Sequence, residues 1–532
     1  MSSFQRSFHS RLIGCFAILF LACAILHANV KMPSIFSDDM VLQRDIPLNV
    51  WGWASPSEKV TVSFAGQTVS ADADKNGKWE VKLNPVPLNK DAQEMTVSGK
   101  NKLIFKNVLV GDVWVCSGQS NMQMAVNGVL DAGNEIASSN NLLIRQIKIN
   151  TKTALYPKDD VSSSKWTPAS PQTVAFFTAA GYFFAREIAK EADVPVGLIN
   201  TSWGGTRIEP WISEAGFRKI PELKSISEQV DGWISTTETG KKNFLKYIEE
   251  MKVWIPAAET ALNEGKMPPP SPILPGLTND HQKPTMIFNA MVNPIIRYGI
   301  KGAIWYQGES NGYEGGSYAH KMNALISDWR SLWKQGDFPF YFVQLANYQR
   351  SNPDRPEGGD GWAKLREAQL KTLSVVPNTG MAVIIDIGDD ANIHPENKQD
   401  VGKRLAAWAL AKDYGKNVVP SGPLYKGFKV EGNKIRISFD HIGNGLIAGE
   451  KKGLAPMRET PRAGLKSFAI AGADKKWYWA DAVIDGDTVL VACGKVPKPI
   501  AVRYAFSMNP PQGVNLYNKE GLPASPFRTD SW

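Results

Sequence analysis

The chain has 532 residues, of which 43% are hydrophobic and 21% are charged. This composition is typical of a globular protein and excludes a disordered or fibrous chain, and the length predicts roughly two to four domains. The formal net charge of +8 at pH 7 is a mild excess for this length. Because no dense run of Lys and Arg accompanies it, we expect no nucleic-acid partner.

The first 28 residues predict a signal peptide for export. Arg6 and Arg11 precede an uncharged apolar run at 12–26, and Ala28 offers a small residue for signal peptidase. The run is too short for a comfortable membrane span, so we expect a periplasmic or extracellular protein with no span after cleavage. Cys23 leaves lipoprotein anchoring as an alternative, which the continuing apolar run disfavours.

The next elements predict an α/β protein with all-β regions at both ends. Residues 29–106 contain short strands separated by turns and are interpreted as an N-terminal β domain. From 107 to 415, strands alternate with helices, which is typical of a parallel sheet with helices on its faces. We interpret about 214–280 as an insertion, either a substrate-side flap or a structural elaboration. Residues 416–532 return to strands and predict a C-terminal β region.

The individual elements of the central region follow from hydrophobic periodicity. Predicted strands lie at 108–116, 194–200, 302–306, 338–345 and 381–387. Predicted helices lie at 173–192, 286–298, 319–333, 362–373 and 397–414. Active sites in such sheets form at the carboxyl ends of the strands, so the loops after these strands are the candidates for chemistry.

The cysteines give no sign of a metal centre. Cys15 and Cys23 lie in the predicted signal, and Cys116 and Cys493 lie in apolar strand-like runs. We favour two buried free thiols over a disulfide. Because no Cys-x-x-Cys pair or Cys/His cluster is present, we expect neither a metal nor another cofactor.

Ser120 is the candidate nucleophile. It follows the predicted strand 108–116 in a glycine-containing turn, where a hydroxyl would stand beside backbone N–H groups able to hold an oxyanion. Gly118-Gln119-Ser120 alone is weak evidence, because a serine after a strand is more often a turn or helix-capping residue. Met122 also stands where the lipase-like motif requires glycine.

His394 is the candidate base. A serine nucleophile needs a base within hydrogen-bond reach, and four histidines lie outside the predicted signal, namely His281, His320, His394 and His441. Only His394 follows a predicted central strand by a short loop, so we expect it at the same sheet edge as Ser120.

The residue that orients the imidazole is left open by the sequence. Asp390 is the nearest carboxylate and the tentative third catalytic residue, with Asp386, Asp389 and Glu309 as alternatives. A backbone carbonyl could also accept the imidazole N–H, which would leave a dyad of Ser120 and His394.

Two further loops carry candidate binding groups. In the loop after the strand at 194–200, paired glycines allow close approach of a ligand, and the N–H of Gly205 is a candidate oxyanion donor. The loop after 302–306 offers side-chain amides from Gln307 and Asn311, and Glu309 of the same loop is a further candidate for binding the substrate. Four aromatic residues flank these loops and could stack on sugar rings or pack in the core, namely Trp203, Trp211, Trp305 and Tyr306.

Four blocks of the sequence resemble the sialate O-acetylesterase family of the SGNH-hydrolase superfamily. The blocks are Gly118-Gln119-Ser120-Asn121-Met122, Trp203-Gly204-Gly205-Thr206, Gln307-Gly308-Glu309-Ser310-Asn311 and Ile393-His394-Pro395. The C-terminal segment 517–530 also resembles this family. The resemblance implies a flavodoxin-like α/β/α catalytic domain and metal-free hydrolysis of acetyl esters.

By matching position, the resemblance implies that Ser120 is the nucleophile and His394 the base. Gly205, with an amide from the Gln307 loop, falls where the oxyanion hole is expected. Many SGNH enzymes have Asp three residues before the catalytic His, but this chain has Ala391 there. The role of Asp390 is therefore open, and a dyad is an alternative.

The expected substrate is an acetylated sugar or glycan, most of all sialic acid, whose carboxylate Arg207 could bind. Acetylated xylan or another polysaccharide is the alternative, because the same machinery would serve. A non-catalytic carbohydrate-binding protein is the alternative of another class, suggested by the flanking β regions and the many aromatic residues.

Overall fold

The N-terminal part of the chain is built from short strands joined by turns. The computed structural model describes residues 29–276, 280–461 and 463–532, so the predicted signal and Cys23 lie outside the described residues. The strands are β1 (Val41–Gln43), β2 (Leu48–Trp53), β3 (Lys59–Phe64), β4 (Gln67–Asp72), β5 (Lys78–Leu83), β6 (Asn89–Ser98) and β7 (Lys102–Gly118). β2 pairs with β5, whereas β3, β4 and β6 form an antiparallel sheet that continues into the first half of β7.

Strands and helices alternate in the middle of the chain. The strands are β8 (Asn141–Lys148), β9 (Thr167–Ala169), β10 (Val196–Ser202), β11 (Gly302–Tyr306), β12 (Phe340–Val343) and β13 (Thr379–Ala382). The helices are α1 (Ser120–Gln123), α2 (Ala132–Ala137), α3 (Ala179–Ala192), α4 (Glu214–Arg218), α5 (Lys224–Asp231), α6 (Glu238–Asn263), α7 (Ser317–Trp333), α8 (Gly361–Val375) and α9 (Lys398–Asp413).

The central sheet has the strand order β13-β12-β11-β7-β10-β8-β9. Its neighbouring strands are parallel except β9, which pairs antiparallel with β8. Numbered along the chain, the six parallel strands β7, β8, β10, β11, β12 and β13 lie in the order 2-3-1-4-5-6 across the sheet. The second half of β7 is therefore central to this sheet, with β10 on one side and β11 on the other.

Both faces of the central sheet are buried. Trp114 and Cys116 of β7 pack with residues of α3 and α9, whereas Val113 and Val115 belong to the cluster that includes α7 and α8. Because side chains alternate along a strand, apolar residues at every position are needed when both faces are covered. The predicted α/β architecture with flanking β regions is confirmed.

Some predicted elements differ in extent. The predicted helix at 286–298 is instead a single π-turn, Phe288–Val292, followed by a 3₁₀ turn at Asn293–Ile295, because Pro294 has no N–H to continue an α-helix. β13 ends at Ala382, five residues before the predicted end of the strand. The interpreted insertion contains α4, α5 and the long helix α6.

The C-terminal part consists of strands in small antiparallel sheets around a separate apolar core. They are β14 (Leu424–Glu431), β15 (Lys434–Asp440), β16 (Leu446–Glu450), β17 (Arg458–Glu459), β18 (Phe468–Gly472), β19 (Trp477–Trp479), β20 (Asp481–Asp485), β21 (Thr488–Ala492), β22 (Pro499–Tyr504), β23 (Leu516–Asn518) and β24 (Phe527–Arg528). Cys116 and Cys493 are both free thiols, the first buried and the second half-buried. None of the helices in the described ranges is long and apolar enough to cross a membrane.

Candidate active site

The loops after four central strands meet at one edge of the sheet. Ser120 follows β7, and the glycine pair at 204–205 follows β10. The segment 307–311 follows β11, and His394 lies in the loop between β13 and α9. Since these strands are parallel, their carboxyl ends point to the same edge, which is where sites form in such sheets.

Ser120 and His394 are in direct contact. Nε2 of His394 lies 2.8 Å from Oγ of Ser120, which is hydrogen-bond distance. Burial, followed by the positive charge of Lys398, lowers the pKa of His394 below its ordinary value. The imidazole is therefore neutral at neutral pH and able to accept the hydroxyl proton, as a general base must.

A sharp turn at the end of β7 presents Ser120. Gly118 has φ of +134°, and a Cβ there would lie 2.2 Å from the carbonyl oxygen of Tyr306 on β11, so only glycine fits. The N–H of Gln119 donates to that same carbonyl at 3.0 Å. Oε1 of Gln119 accepts the backbone N–H of Ser310 at 3.2 Å, which ties the serine turn to the neighbouring loop.

The glycine pair after β10 lies against the serine. A Cβ on Gly204 would stand 3.3 Å from Cβ of Ser120. Gly205 is exposed with φ of +74°, and its carbonyl accepts hydrogen bonds from Ser310 and Gln282. Its N–H has no hydrogen-bond partner among the described residues. This N–H is thus a free donor one residue from the contact with Ser120.

Gln307 and Asn311, predicted as amide donors to the substrate, lie below the site. Both are buried, with 0% and 1% of their surfaces exposed. Nε2 of Gln307 donates to the carbonyl of Thr206 at 3.1 Å and to Oδ1 of Asn311 at 2.8 Å. Nδ2 of Asn311 donates to Glu209 at 3.1 Å. These hydrogen bonds tie the loops after β10 and β11 together and occupy both N–H groups of the Gln307 amide.

The structure does not bring an aspartate of the preceding loop to His394. Asp390 is exposed, and its side chain makes no hydrogen bond within the described parts of the chain. Asp386 is held in a buried ion pair with Arg404 at 2.6 Å, and Asp389 caps its own loop. Nδ1 of His394 has no carboxylate partner among residues 29–276, 280–461 and 463–532.

A buried polar cluster lies beside the serine and the histidine, and of its members only Glu309 was a candidate from the sequence. Nδ2 of Asn121 donates to Oε1 of Glu309 at 2.5 Å, and Nζ of Lys398 donates to Oδ1 of Asn121 at 2.7 Å. Burial lowers the pKa of Lys398 to about 7 and raises the pKa of Glu309. Two features of the sequence could have indicated this cluster. Asn121 is the next residue after Ser120, and Lys398 lies four residues after His394.

The predicted sugar-binding residues divide between core and surface. Trp211, Trp305 and Tyr306 are buried, whereas Trp203 is half-buried and stacks on His281 with ring centroids 4.9 Å apart. This pair stands next to the glycine loop and is the available aromatic surface. In the parts of the chain that the structure describes, no group of three or more His, Cys, Asp or Glu side chains could hold a metal ion.

Arg207 lies two residues beyond Gly205 and is half-exposed. Its guanidinium pairs with Glu314 at 2.9 Å, and its Nε donates to the carbonyl of Ser310 at 3.5 Å. Glu314 also pairs with the buried Lys321. Arg207 is therefore at the edge of the site, with part of its charge already balanced by a neighbouring carboxylate.

The chain is similar in sequence and structure to known carbohydrate esterases. Residues 110–259 and 277–411 match the family model of a carbohydrate esterase described as sialic acid-specific acetylesterase. Sialate O-acetylesterase of Mus musculus is 29% identical over 93% of this chain and 94% of its own. The Homo sapiens sialate O-acetylesterase is 30% identical over 74% of this chain and 73% of its own. A crystal structure of a carbohydrate acetylesterase from Xanthomonas citri superposes with a TM-score of 0.77 at 34% identity, covering 95% of this chain and 100% of that chain.

The fold and these relatives define the chain as a carboxylic ester hydrolase, and more closely as a sugar acetylesterase. The family model covers more than half of the residues. The chain belongs to the sialic acid-specific acetylesterase family of carbohydrate esterases. The resemblance identified from the sequence blocks is thereby confirmed, and a non-catalytic binding protein is excluded.

Proposed function

We propose that this protein is an SGNH-type serine esterase that removes O-acetyl groups from sugars, sialic acid above all, through an acetyl-enzyme on Ser120. The observation that carries the proposal is the 2.8 Å contact between His394 Nε2 and Ser120 Oγ at the carboxyl edge of the sheet. The names of the relatives support an acetyl ester of a sugar as the substrate.

The geometry supports the following sequence of steps. His394 Nε2 takes the hydroxyl proton while Oγ of Ser120 bonds to the acetyl carbonyl carbon. When the tetrahedral intermediate collapses, the bond to the sugar oxygen breaks, and the imidazolium gives that oxygen its proton. Water then gives a proton to His394 and attacks the acetyl-enzyme. Acetate leaves, and Oγ recovers the proton.

The oxyanion would be held by main-chain donors. The N–H of Gly205 is unpaired in the described chain, and the N–H of Ser120 begins α1, where no preceding carbonyl can accept it. The buried amides of Gln307 and Asn311 then shape this hole without entering it. Loss of one such donor costs about 3 to 4 kcal/mol of transition-state stabilisation.

The serine mechanism is tested by Ser120→Ala with an aryl acetate as substrate. We expect hydrolysis to fall by about 10⁴-fold or more, since the nucleophile is lost. Ser117→Ala is the matched control, because its hydroxyl is buried without a hydrogen-bond partner in the described chain and lies three residues away. Undiminished hydrolysis in Ser120→Ala would reject the mechanism.

The sugar preference is tested by comparing kcat/KM on 9-O-acetylated sialic acid and on acetylated xylan. A preference for sialic acid that Arg207→Gln reduces, with no change on xylan, supports recognition of the carboxylate by Arg207. The ion pair of Arg207 with Glu314 favours the second candidate, an esterase of neutral acetylated polysaccharides. Equal or better activity on xylan, insensitive to Arg207→Gln, would support that candidate.

We also propose that residues 1–28 direct export and are then removed. Arg6, Arg11 and the apolar run at 12–26 support this proposal. N-terminal sequencing of the protein from its natural source should give a chain that begins after Ala28. A chain that keeps this segment would contradict it.

A further inference from the structure

We propose that Asn121 and Lys398, supported by Glu309, position His394 through its main chain and take the place of the carboxylate that usually orients a catalytic histidine. This inference rests on the proposed role of Ser120 and His394. It assigns these residues a positioning role, since their contacts reach His394 through its neighbours in the chain.

The first observation is that both peptide units flanking His394 are held. Nδ2 of Asn121 donates to the carbonyl of Ile393 at 3.0 Å. Nζ of Lys398 donates to the carbonyl of Pro395 at 2.6 Å. The histidine backbone is therefore held on both sides, which fixes where its Cα–Cβ bond starts relative to the serine turn.

The second observation is that the same residues connect the base to the nucleophile. Asn121 follows Ser120 directly, and Oδ1 of Asn121 accepts a hydrogen bond from Lys398 at 2.7 Å. Any movement of the serine turn is thus transmitted to the loop that carries His394. In a catalytic triad the aspartate bonds to Nδ1 of the imidazole, on the side away from the serine. Here the residue that holds the histidine loop, Asn121, is the neighbour of Ser120 in the chain.

The third observation is the burial of charge at this point. Lys398 has no exposed surface, and its Nζ lies 5.2 Å from the ring centre of Tyr306. Oε2 of Glu309 is buried and has no partner among the described residues, while its Oε1 holds the amide of Asn121. Burying ionisable groups is costly, and such groups concentrate at functional sites.

Lys398 also acts on His394 by its charge. Its ammonium lowers the pKa of the imidazole, and the carboxylates of Glu309 and Glu396 face the lysine and favour its protonated form. Below about pH 7, Lys398 is protonated. In this pH range its positive charge opposes protonation of His394, which would stop the proposed catalysis. A residue that merely filled space would have no such effect.

The test is the pH profile of Lys398→Met on an aryl acetate. We expect kcat to fall by about 10²-fold with KM nearly unchanged, because general-base catalysis is lost and binding is not. We also expect the acidic limb of kcat/KM to move to higher pH, because the variant lacks the positive charge that lowers the pKa of His394. Lys451→Met is the matched control, a lysine with 5% of its side chain exposed that pairs with Asp400 of α9.

Asn121→Asp provides a second test of the positioning role if Lys398→Met does not fold. The aspartate has the same size and can still accept from Lys398, but it cannot donate to Ile393 or Glu309. We expect a loss of kcat similar to that of Lys398→Met. Glu309→Ala should lose activity, because Asn121 loses the acceptor of its hydrogen bond. Glu309→Gln should retain most of the wild-type activity, because the glutamine oxygen can still accept this hydrogen bond.

The outcomes separate this inference from the proposed function. If Ser120→Ala is inactive while folded Lys398→Met and Asn121→Asp keep wild-type kcat and the same acidic limb, the positioning role is wrong and the serine mechanism stands. If Ser120→Ala retains activity, the proposed function itself fails.

Discussion

The protonation state of His394 decides whether its imidazole can accept a proton from Ser120. Burial and the charge of Lys398 both lower the pKa of its imidazole, so the neutral form persists to more acidic pH than for an exposed histidine. The proposed mechanism needs this neutral form, because only it can accept the proton of Ser120.

The acidic limb of kcat/KM for hydrolysis of an aryl acetate should therefore lie below about 6.5, the ordinary pKa of histidine. Activity is retained above the lowered pKa and is lost as the pH falls through it. A pH-rate profile of the wild-type enzyme measures this midpoint directly. A midpoint above 6.5 would contradict the electrostatic description of His394.

Among the elements around the site, the turn after β10 packs closely against Ser120. A Cβ on Gly204 would stand 3.0 Å from Oε1 of Gln123 and 3.3 Å from Cβ of Ser120. Oε1 of Gln123 also accepts the N–H of Gly204 at 2.7 Å, so this turn cannot move away without losing a hydrogen bond. The added methyl group would therefore displace either the turn or the nucleophile.

We predict that Gly204→Ala lowers kcat on an aryl acetate by about 10-fold or more, because small displacements of reacting groups are costly. Gly133→Ala is the control, since a Cβ at this position of α2 meets no atom within 4 Å. Circular dichroism should show both variants folded. Equal kcat in the two variants would show that the turn does not constrain Ser120.

The elements themselves were largely predictable, because periodicity identifies buried strands and amphipathic helices. The helices α7, α8 and α9 begin and end within a few residues of the predicted ones. The orientation of loop side chains was not predictable, since loops have no period. Gln307 and Asn311 follow a strand as a substrate-binding residue would, yet their amides are turned inward.

The contacts of the buried polar cluster beside His394 were likewise not predictable from the sequence. His394 could be chosen by elimination, because few histidines exist and only one follows a central strand. Asn121 and Lys398 are 277 positions apart in the sequence, and no local pattern tells which buried carbonyl or amide each will reach. Such contacts depend on the tertiary arrangement of β7, β13 and α9.

At the scale of the whole molecule, Arg366 connects the central sheet to the C-terminal strands. This residue of α8 is fully buried and donates to the carbonyls of Leu345 and Ala346 after β12. It also donates to the carbonyls of Ser507 and Met508 in the C-terminal region. Burial lowers the pKa of its guanidinium to about 9. The two regions therefore share one buried polar junction.

Arg366→Met should reduce the free energy of unfolding by about 3 kcal/mol or more, because two buried and two partly buried carbonyls lose their donor at once. Urea denaturation measures this change. Arg458→Met is the control, an exposed arginine whose pair with Glu450 lies in solvent and should matter little. Equal stability of the two variants would mean that the C-terminal region is not held by Arg366.

Mass spectrometry of enzyme quenched during turnover of an aryl acetate can detect the proposed acetyl-enzyme on Ser120. We expect one added acetyl group on the peptide that contains Ser120, and no added acetyl group on that peptide in Ser120→Ala. An acetyl group on another residue, or turnover without any acetylated peptide under conditions that give a pre-steady-state burst, would contradict it.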